Sequence, residues 1–350
     1  MTGNKGICVI YTGGTFGMVR SPRGFVPAKG LAGLLEANAP ELQRDGIPRY
    51  ELIESDRPID GANATPKLWY DLAEQIIGIE ADYDGFVIIH GTDTLAYTAS
   101  VLSFLLAPMA KPVVVTGAQI PLVEVESDAP ANLEAALTVA AGAHTSEVSV
   151  VFGRRVLRGN RATKVSSSAL DGFDSPNFPP LADLGAPIQF RELGEPRRAV
   201  PASWFERPVY RPGNIVVLPI FPGIHADMVK AVVGTGVRGM ILECYGKGSA
   251  PDMNEPLIRA LHDAVDGGVV AVAVTQCVEG SVSLGTYASG SVLADCGVIS
   301  GSDLTREAAF TKLHYLFARR LSPQEIAQRM QQNLRGELTP ANDAMAENQR

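Results

Sequence analysis

The chain has 350 residues, 46% of them hydrophobic and 19% charged, with a formal net charge of -8. That length holds two ordinary domains and a large buried core, and the composition excludes a disordered chain. The negative balance excludes a general polyanion binder, because phosphate binding needs a basic surface. Arg154, Arg155, Arg158, Arg161 and Lys164 form the one local exception.

Residues 1–6 are polar and lead straight into the apolar run Ile7-Cys8-Val9-Ile10, which leaves no room for a signal peptide. That run predicts a buried strand, closed by the tight loop Tyr11-Thr12-Gly13-Gly14-Thr15-Phe16-Gly17. Thr65-Pro66 predicts a helix start, with a hydroxyl N-cap and proline at the first helical position. Phe86-Val87-Ile88-Ile89 predicts a second buried strand, followed by His90-Gly91-Thr92-Asp93 and an apolar helix pattern from Thr94. Further strands are expected at Val113–Val115, Val148–Phe152, Ile215–Leu218, Met240–Leu242 and Val269–Val274. Their apolar residues run on without alternation, as in strands covered on both faces. Ser322-Pro323-Gln324-Glu325 predicts another helix start with a capping box.

Alternation of such strands with helical patterns is the signature of an α/β fold. The pattern fails between residues 193 and 213, where Pro196, Pro201, Pro208 and Pro212 accompany Arg197 and Arg198, with Trp204 and Phe205 among few apolar residues. A linker is expected there, between domains at 1–192 and 214–340, with a polar tail at 341–350. Cys8, Cys244, Cys277 and Cys296 are scattered, with no metal-ligand spacing, and are expected to be reduced and mostly buried. No metal is expected. No apolar run approaches membrane-spanning length, and the cytoplasm is the expected compartment.

The two glycine-bearing loops deliver threonine hydroxyls to strand ends, where open α/β sheets form ligand crevices. Gly13-Gly14-Thr15-Phe16-Gly17 has GGxxG spacing, a weak match to a dinucleotide fingerprint. Thr92 or Asp93 would serve equally well as ordinary helix caps, and Arg158 to Lys164 as a solvated basic loop. Together the three stretches supply what a threonine nucleophile needs: a hydroxyl, a base within reach, and backbone amides for an oxyanion. A lysine crowded by cations or desolvated would accept the proton, and Asp93 would orient it or bind a substrate ammonium. No GxSxG, HExxH or GxxxxGK[ST] motif competes. His90 is expected to satisfy buried backbone, and Cys277 to be a core residue.

Tyr11 to Gly17 and His90-Gly91-Thr92-Asp93-Thr94-Leu95-Ala96-Tyr97-Thr98 resemble the two signatures of bacterial-type L-asparaginases. Several further stretches resemble the cytoplasmic type I branch. They are Val115 to Pro121, Arg158 to Lys164, Ser175-Pro176-Asn177, Thr311-Lys312-Leu313-His314-Tyr315 and Asn333 to Pro340, and the match runs from about residue 5 to 340. The resemblance implies an N-terminal mixed-sheet α/β domain, a smaller Rossmann-like C-terminal α/β domain, a small amide substrate, and no cofactor. It also implies a homodimer, or a dimer of dimers, and no nucleic-acid or membrane partner. Thr15 would attack, and Thr92, Asp93 and Lys164 would form the second catalytic group. Asp60, Gly61, Phe25 and Ala118 would join Thr92 and Asp93 around the substrate.

Two positions depart from the family pattern. Phe25 stands where the family usually has a tyrosine that helps close a lid. Gly61 stands in Asp60-Gly61-Ala62 where a serine hydroxyl usually binds the substrate α-carboxylate. Losing a hydrogen bond to a charged group costs roughly 1.5–3 kcal/mol, so returning hydroxyls by Phe25→Tyr and Gly61→Ser is expected to raise asparagine affinity. An allosteric asparagine site known in some type I members is not expected. Glu243 stands where one form has arginine, although Thr163 and Cys277 match that region. The reading is an L-asparagine amidohydrolase using a threonine-bound acyl intermediate. The alternatives are an amidase of the same fold acting on a different small amide or cyclic imide, and a non-catalytic metabolite-binding relative.

Overall fold

The computed structural model describes residues 5–107, 109–142, 146–193 and 209–340. The chain divides into two units, residues 1–196 and 197–350. Most of the expected linker, including Trp204 and Phe205, and the whole expected tail lie outside the described residues.

The first unit is built on strands β1 (Ile7–Gly13), β2 (Met18–Ser21), β3 (Gly24–Pro27), β4 (Tyr50–Ile59), β5 (Gly85–Ile89), β6 (Val113–Thr116), β7 (Val148–Phe152), β8 (Arg155–Arg158), β9 (Thr163–Lys164), β10 (Phe173–Asp174), β11 (Ala182–Asp183) and β12 (Gln189–Phe190). Its helices are α1 (Leu31–Asn38), α2 (Pro66–Ile79), α3 (Leu95–Leu105) and α4 (Ala129–Ala141). Eight strands form one sheet in the order β12-β11-β8-β7-β6-β5-β1-β4. The run from β4 to β7 is parallel, and β8, β11 and β12 add antiparallel pairs, so the sheet is mixed. β1, β5, β6 and β7 are buried along their whole length, as their unbroken apolar runs require. Val9, Val87, Val114 and Leu133 meet in the core beneath them.

Edge strand β4 is absent from the expected elements. Its sequence YELIESDRPI mixes charge with apolar residues and is half exposed, because only one neighbour and one face cover it; Pro58 is tolerated at such an edge. The β2–β3 hairpin is likewise unexpected, and it follows the first glycine loop directly, with Arg20 opposite Phe25. α2 begins at Thr65-Pro66 as expected, yet the Thr65 hydroxyl makes no capping bond.

The second unit has parallel strands β13 (Ile215–Pro219), β14 (Gly239–Cys244), β15 (Val270–Thr275) and β16 (Ile299–Ser300), in that order. Helices α5 (Ala226–Gly234), α6 (Glu255–Asp266), α7 (Ala288–Asp295), α8 (Arg306–Ala318) and α9 (Pro323–Met330) complete it. The Ser322–Glu325 capping box forms at the start of α9. Cys8, Cys244 and Cys296 are buried, but Cys277 is exposed, which corrects its assignment to the core. It follows the end of β15, where the backbone has left the sheet. Glu243, nearly buried, pairs with Arg306 at the head of α8.

Two of the family-like stretches are structural here. Lys312 and Glu337, both with 0% side-chain exposure, form a 2.6 Å ion pair. Lys312 Nζ also donates to the Met330 carbonyl at 2.9 Å, and Glu337 accepts the Leu334 and Arg335 amides. The pair therefore clamps α8 to the segment after α9. A buried pair broken on one side costs several kcal/mol.

His314, also on α8, has its imidazole pushed down to about 4 by burial. The folded chain keeps this ring neutral while the unfolded chain takes up a proton below its ordinary value of about 6.5. Stability is therefore complete above pH 6.5 and falls as the pH drops through the interval down to 4. Between pH 6.5 and 5, above the usual carboxylate range, the expected loss from His314 is about 2 kcal/mol. Urea unfolding across that interval checks it, and His314→Gln should flatten the profile. A profile already flat in the unsubstituted protein would contradict the assignment.

Candidate active site

The carboxyl ends of β1, β4 and β5 meet through glycine backbone. Gly13 and Gly14 lie at φ 124° and 82°, in the region that glycine alone enters freely. A Cβ on Gly13 would fall 2.1 Å from the Ile59 carbonyl oxygen, so the first loop lies directly on the end of β4. A Cβ on Gly14 would fall 2.4 Å from Gly91 Cα, and one on Gly91 would fall 2.6 Å from Gly61 Cα. Gly14, Gly61 and Gly91 are thus in backbone contact. Each belongs to a different loop that sequence analysis singled out. Thr15 and Thr92 each follow one of the two touching glycines, and Asp60 precedes the third.

This contact bears on the expectation for residue 61. A serine Cβ there would stand 3.0 Å from Gly91 Cα. Gly91 must then give by a few tenths of an ångström to admit the side chain. Gly61→Ser raises asparagine affinity where Gly91 yields that space, and a measured loss of affinity would show that it does not.

Lys164 extends from β9, which pairs with β10. Its Nζ donates to Thr92 Oγ1 at 2.9 Å and to Asp93 Oδ1 at 2.7 Å. Thr92 is buried, whereas the Asp93 side chain is 63% exposed and faces solvent. Neither residue caps α3. Thr94 takes the N-cap position, and its hydroxyl donates instead to the Gly61 carbonyl at 2.8 Å, tying the second loop to the third. Thr15 opens a short helical turn, Thr15–Gly17, and among the described residues its hydroxyl has no hydrogen-bond partner.

The second loop rests on a buried polar chain. Trp69 Nε1 donates to Thr98 Oγ1 at 3.1 Å, and Thr98 lies 3.0 Å from His90 Nε2. His90 Nδ1 is 2.9 Å from the Gly91 carbonyl. A carbonyl only accepts, so Nδ1 carries the proton, Nε2 accepts, and the Thr98 hydroxyl donates. Burial lowers the His90 imidazole below its ordinary value, against the opposing pull of the Gly91 bond, which keeps the ring neutral. The expected backbone-satisfying role of His90 holds.

The loop after β6 is organised by α4. The Asp128 carboxylate accepts the Gln119 and Ile120 amides, and Asn132 Nδ2 donates to the Gly117 carbonyl. This sets Ala118 in the core, fully buried. Asp128 and Asn132 carry no motif of their own; only a carboxylate and an amide at i, i+4 hint at them.

Two expectations about electrostatics change. The Gly14 amide donates to the Ile59 carbonyl at 2.8 Å, so it is not available to an oxyanion. The basic stretch is not a solvated loop either: Arg158 and Arg161 are buried at 4% and 2% exposure. Arg158 pairs with Glu147 at 2.7 Å, and both guanidiniums lie over the Phe178 ring, at 4.4 and 5.1 Å. Lys164 has a carboxylate and a hydroxyl as its hydrogen-bond partners.

Phe25 is part exposed on β3, and the Arg20 guanidinium lies 5.1 Å from its ring. Arg20 in turn bonds Glu124 through both ends, at 2.8 and 2.7 Å. These contacts fasten the hairpin that follows Thr15. Among the described residues no three His, Cys, Asp or Glu side chains are grouped to hold a metal, and no helix is long and apolar enough to cross a membrane.

The chain matches the family model described as asparaginase, N-terminal, over residues 6–193, and the glutaminase/asparaginase C-terminal domain over residues 214–330. It is 46% identical to L-asparaginase 1 of Escherichia coli K12 over 338 residues, covering 96% of this chain and 98% of that protein. It is 36% identical to the 60 kDa lysophospholipase of Mus musculus over 362 residues, 97% of this chain and 64% of that longer protein. Among solved structures, L-asparaginase I from Vibrio cholerae O1 biovar eltor is similar with a TM-score of 0.83 and 41% identity, over 95% of this chain and 98% of that one.

Proposed function

The chain belongs to the asparaginase family, and on that premise we propose that it is an L-asparagine amidohydrolase with Thr15 as nucleophile. The observation that carries the reading is the Lys164–Thr92–Asp93 hydrogen-bonded group standing across the Gly14–Gly91 contact from Thr15.

In this mechanism Thr15 Oγ1 attacks the side-chain carbonyl carbon of asparagine and gives up its proton. The carbon–nitrogen bond breaks, and the proton leaves with ammonia. A β-aspartyl ester of Thr15 remains. Water then adds to the ester, the ester bond breaks, and L-aspartate departs as Thr15 regains a proton. Lys164 occupies the Thr92 oxygen with a donated hydrogen bond, which turns the Thr92 proton toward the reacting atoms and stabilises negative charge when it leaves. Asp93, solvent-facing and anchored to Lys164, is the partner for the substrate ammonium. Asp60, Gly61, Phe25 and Ala118 complete the substrate site, Gly61 and Ala118 through backbone.

The same reading assigns residues 1–192 to the catalytic domain and 214–340 to a second domain. It also makes the protein a cytoplasmic homodimer, or a dimer of dimers, that needs no cofactor. Its support is the similarity to enzymes named L-asparaginase across both family regions.

Phe25 and Gly61 favour one competing reading, a related amide or cyclic imide as substrate. Ammonia release from L-asparagine, D-asparagine, L-glutamine and ring-opening of succinimide separates the two. L-Asparagine is expected to show the highest kcat/KM of the set. A different amide or the imide turned over faster would replace L-asparagine as the substrate, and no turnover of any would leave a metabolite-binding protein.

A further inference from the structure

The β2–β3 hairpin is a two-stranded sheet of its own, outside the eight-stranded sheet, and residues Pro22 to Val26 are exposed. It follows directly on the Thr15–Gly17 turn. Phe25, Val26 and Pro27, together with the end of β4 and Asp60, wall a pocket of about 560 Å³. An element with so little burial takes its position from specific contacts. Among the described residues, the side-chain hydrogen bonds that leave the hairpin are the two from Arg20 to Glu124, which join positions 104 residues apart. The other exposed arginines Arg44, Arg155 and Arg191 each reach a carboxylate through one hydrogen bond. Two parallel bonds fix the orientation of the guanidinium as well as its place.

Both partners are tied to the site. Arg20 is paired with Phe25 across the hairpin, and directly opposite residues of antiparallel strands share a face. The guanidinium lies 5.1 Å from the ring centroid, so the group that Glu124 orients also holds the Phe25 ring. Glu124 belongs to the loop after β6, which Asp128 pins at Gln119 and Ile120. The Leu122 amide of that loop bonds the Phe16 carbonyl at 3.0 Å, next to Thr15. One loop therefore grips the chain at two points, beside Thr15 and on the hairpin. We propose that Arg20 and Glu124 are positioning residues that set Phe25 against the substrate, so that the amide is retained while it reacts. This rests on the amidohydrolase reading above. Both residues act through Phe25 and not on the reacting atoms.

The test compares Arg20→Met, Glu124→Gln and the double variant on L-asparagine, with Arg20→Lys as the conservative change. Calorimetric binding of L-aspartate and amide hydrogen exchange over residues 18–27 are measured alongside. Arg20→Met and Glu124→Gln are each expected to raise KM about three- to tenfold, with kcat changed less than about twofold. The double variant should lose no more than the worse single one, because both remove the same bond. Arg20→Lys should fall between, since it keeps the charge and loses the fork. L-Aspartate binding should weaken by a factor similar to the rise in KM. Hairpin exchange should quicken several-fold while the thermal midpoint stays within about 2 °C. Losses that multiply in the double variant, a loss carried by kcat, or an unchanged KM overturn the assignment. Weaker L-aspartate binding with faster hairpin exchange, in a protein that hydrolyses no asparagine, would keep the latch and remove the amidohydrolase reading. Asparagine turnover indifferent to both residues would do the reverse.

Discussion

Thr15→Val is expected to reduce ammonia release from L-asparagine by about 10⁴-fold or more, with the fold intact. Valine keeps the branched shape of threonine and removes only the hydroxyl. That hydroxyl has no hydrogen-bond partner among the described residues, so folding does not depend on it. The neighbouring geometry is held by backbone instead, through Gly13 on Ile59, Gly14 on Gly91, and the Leu122 amide on the Phe16 carbonyl at 3.0 Å. Stability should therefore stay within about 0.5 kcal/mol. Acid-quenched mass spectrometry during turnover should show an aspartyl adduct on the unsubstituted protein and none on the variant. Activity retained by the variant would remove Thr15 from the mechanism, whatever the family resemblance.

Lys164→Met should lower kcat by roughly 10²–10⁴-fold and move KM by only a few-fold. Methionine fills a similar volume, but it donates nothing to Thr92 or to Asp93. The bond to Thr92 matters most for rate, because Thr92 is buried and water does not replace the lost donor easily. The bond to Asp93 matters less, since that carboxylate is mostly in solvent. An interaction made chiefly in the transition state appears in kcat. A change confined to KM would make Lys164 a substrate-binding residue only. Asp93→Asn provides the contrast: loss of the ammonium partner should raise KM for L-asparagine more than it lowers kcat.

Much of the fold was legible because its central strands are buried on both faces. Ile7–Ile10, Phe86–Ile89 and Val113–Val115 have no polar residue to confuse the pattern, and the structure places a strand at each. β4 escaped because an edge strand is half solvated and admits Glu51, Glu54, Asp56 and Arg57. The basic run from Arg154 to Lys164 misled for a related reason. Charge in a sequence reads as solvent exposure unless its partner is known, and Glu147 and Phe178 lie on other segments. Cys277 misled in the opposite sense, as an apolar residue type placed just beyond a strand end.

The mixed-sheet and Rossmann-like units followed from the resemblance to the asparaginases, whereas the sequence's own pattern determined the α/β class and the candidacy of Thr15, Thr92, Asp93 and Lys164. Local patterning records these, because strand burial and loop chemistry are written in adjacent residues. Only the tertiary structure decided that Gly14, Gly61 and Gly91 touch, that Lys164 donates to Thr92 and Asp93, and that the Gly14 amide is already used. It also decided that residue 61 lies against Gly91, with little room for a side chain. The reason is the same in each case. Close approach between loops tens of residues apart is a property of backbone packing, and a glycine looks alike in sequence whether it turns freely or lies against another chain segment.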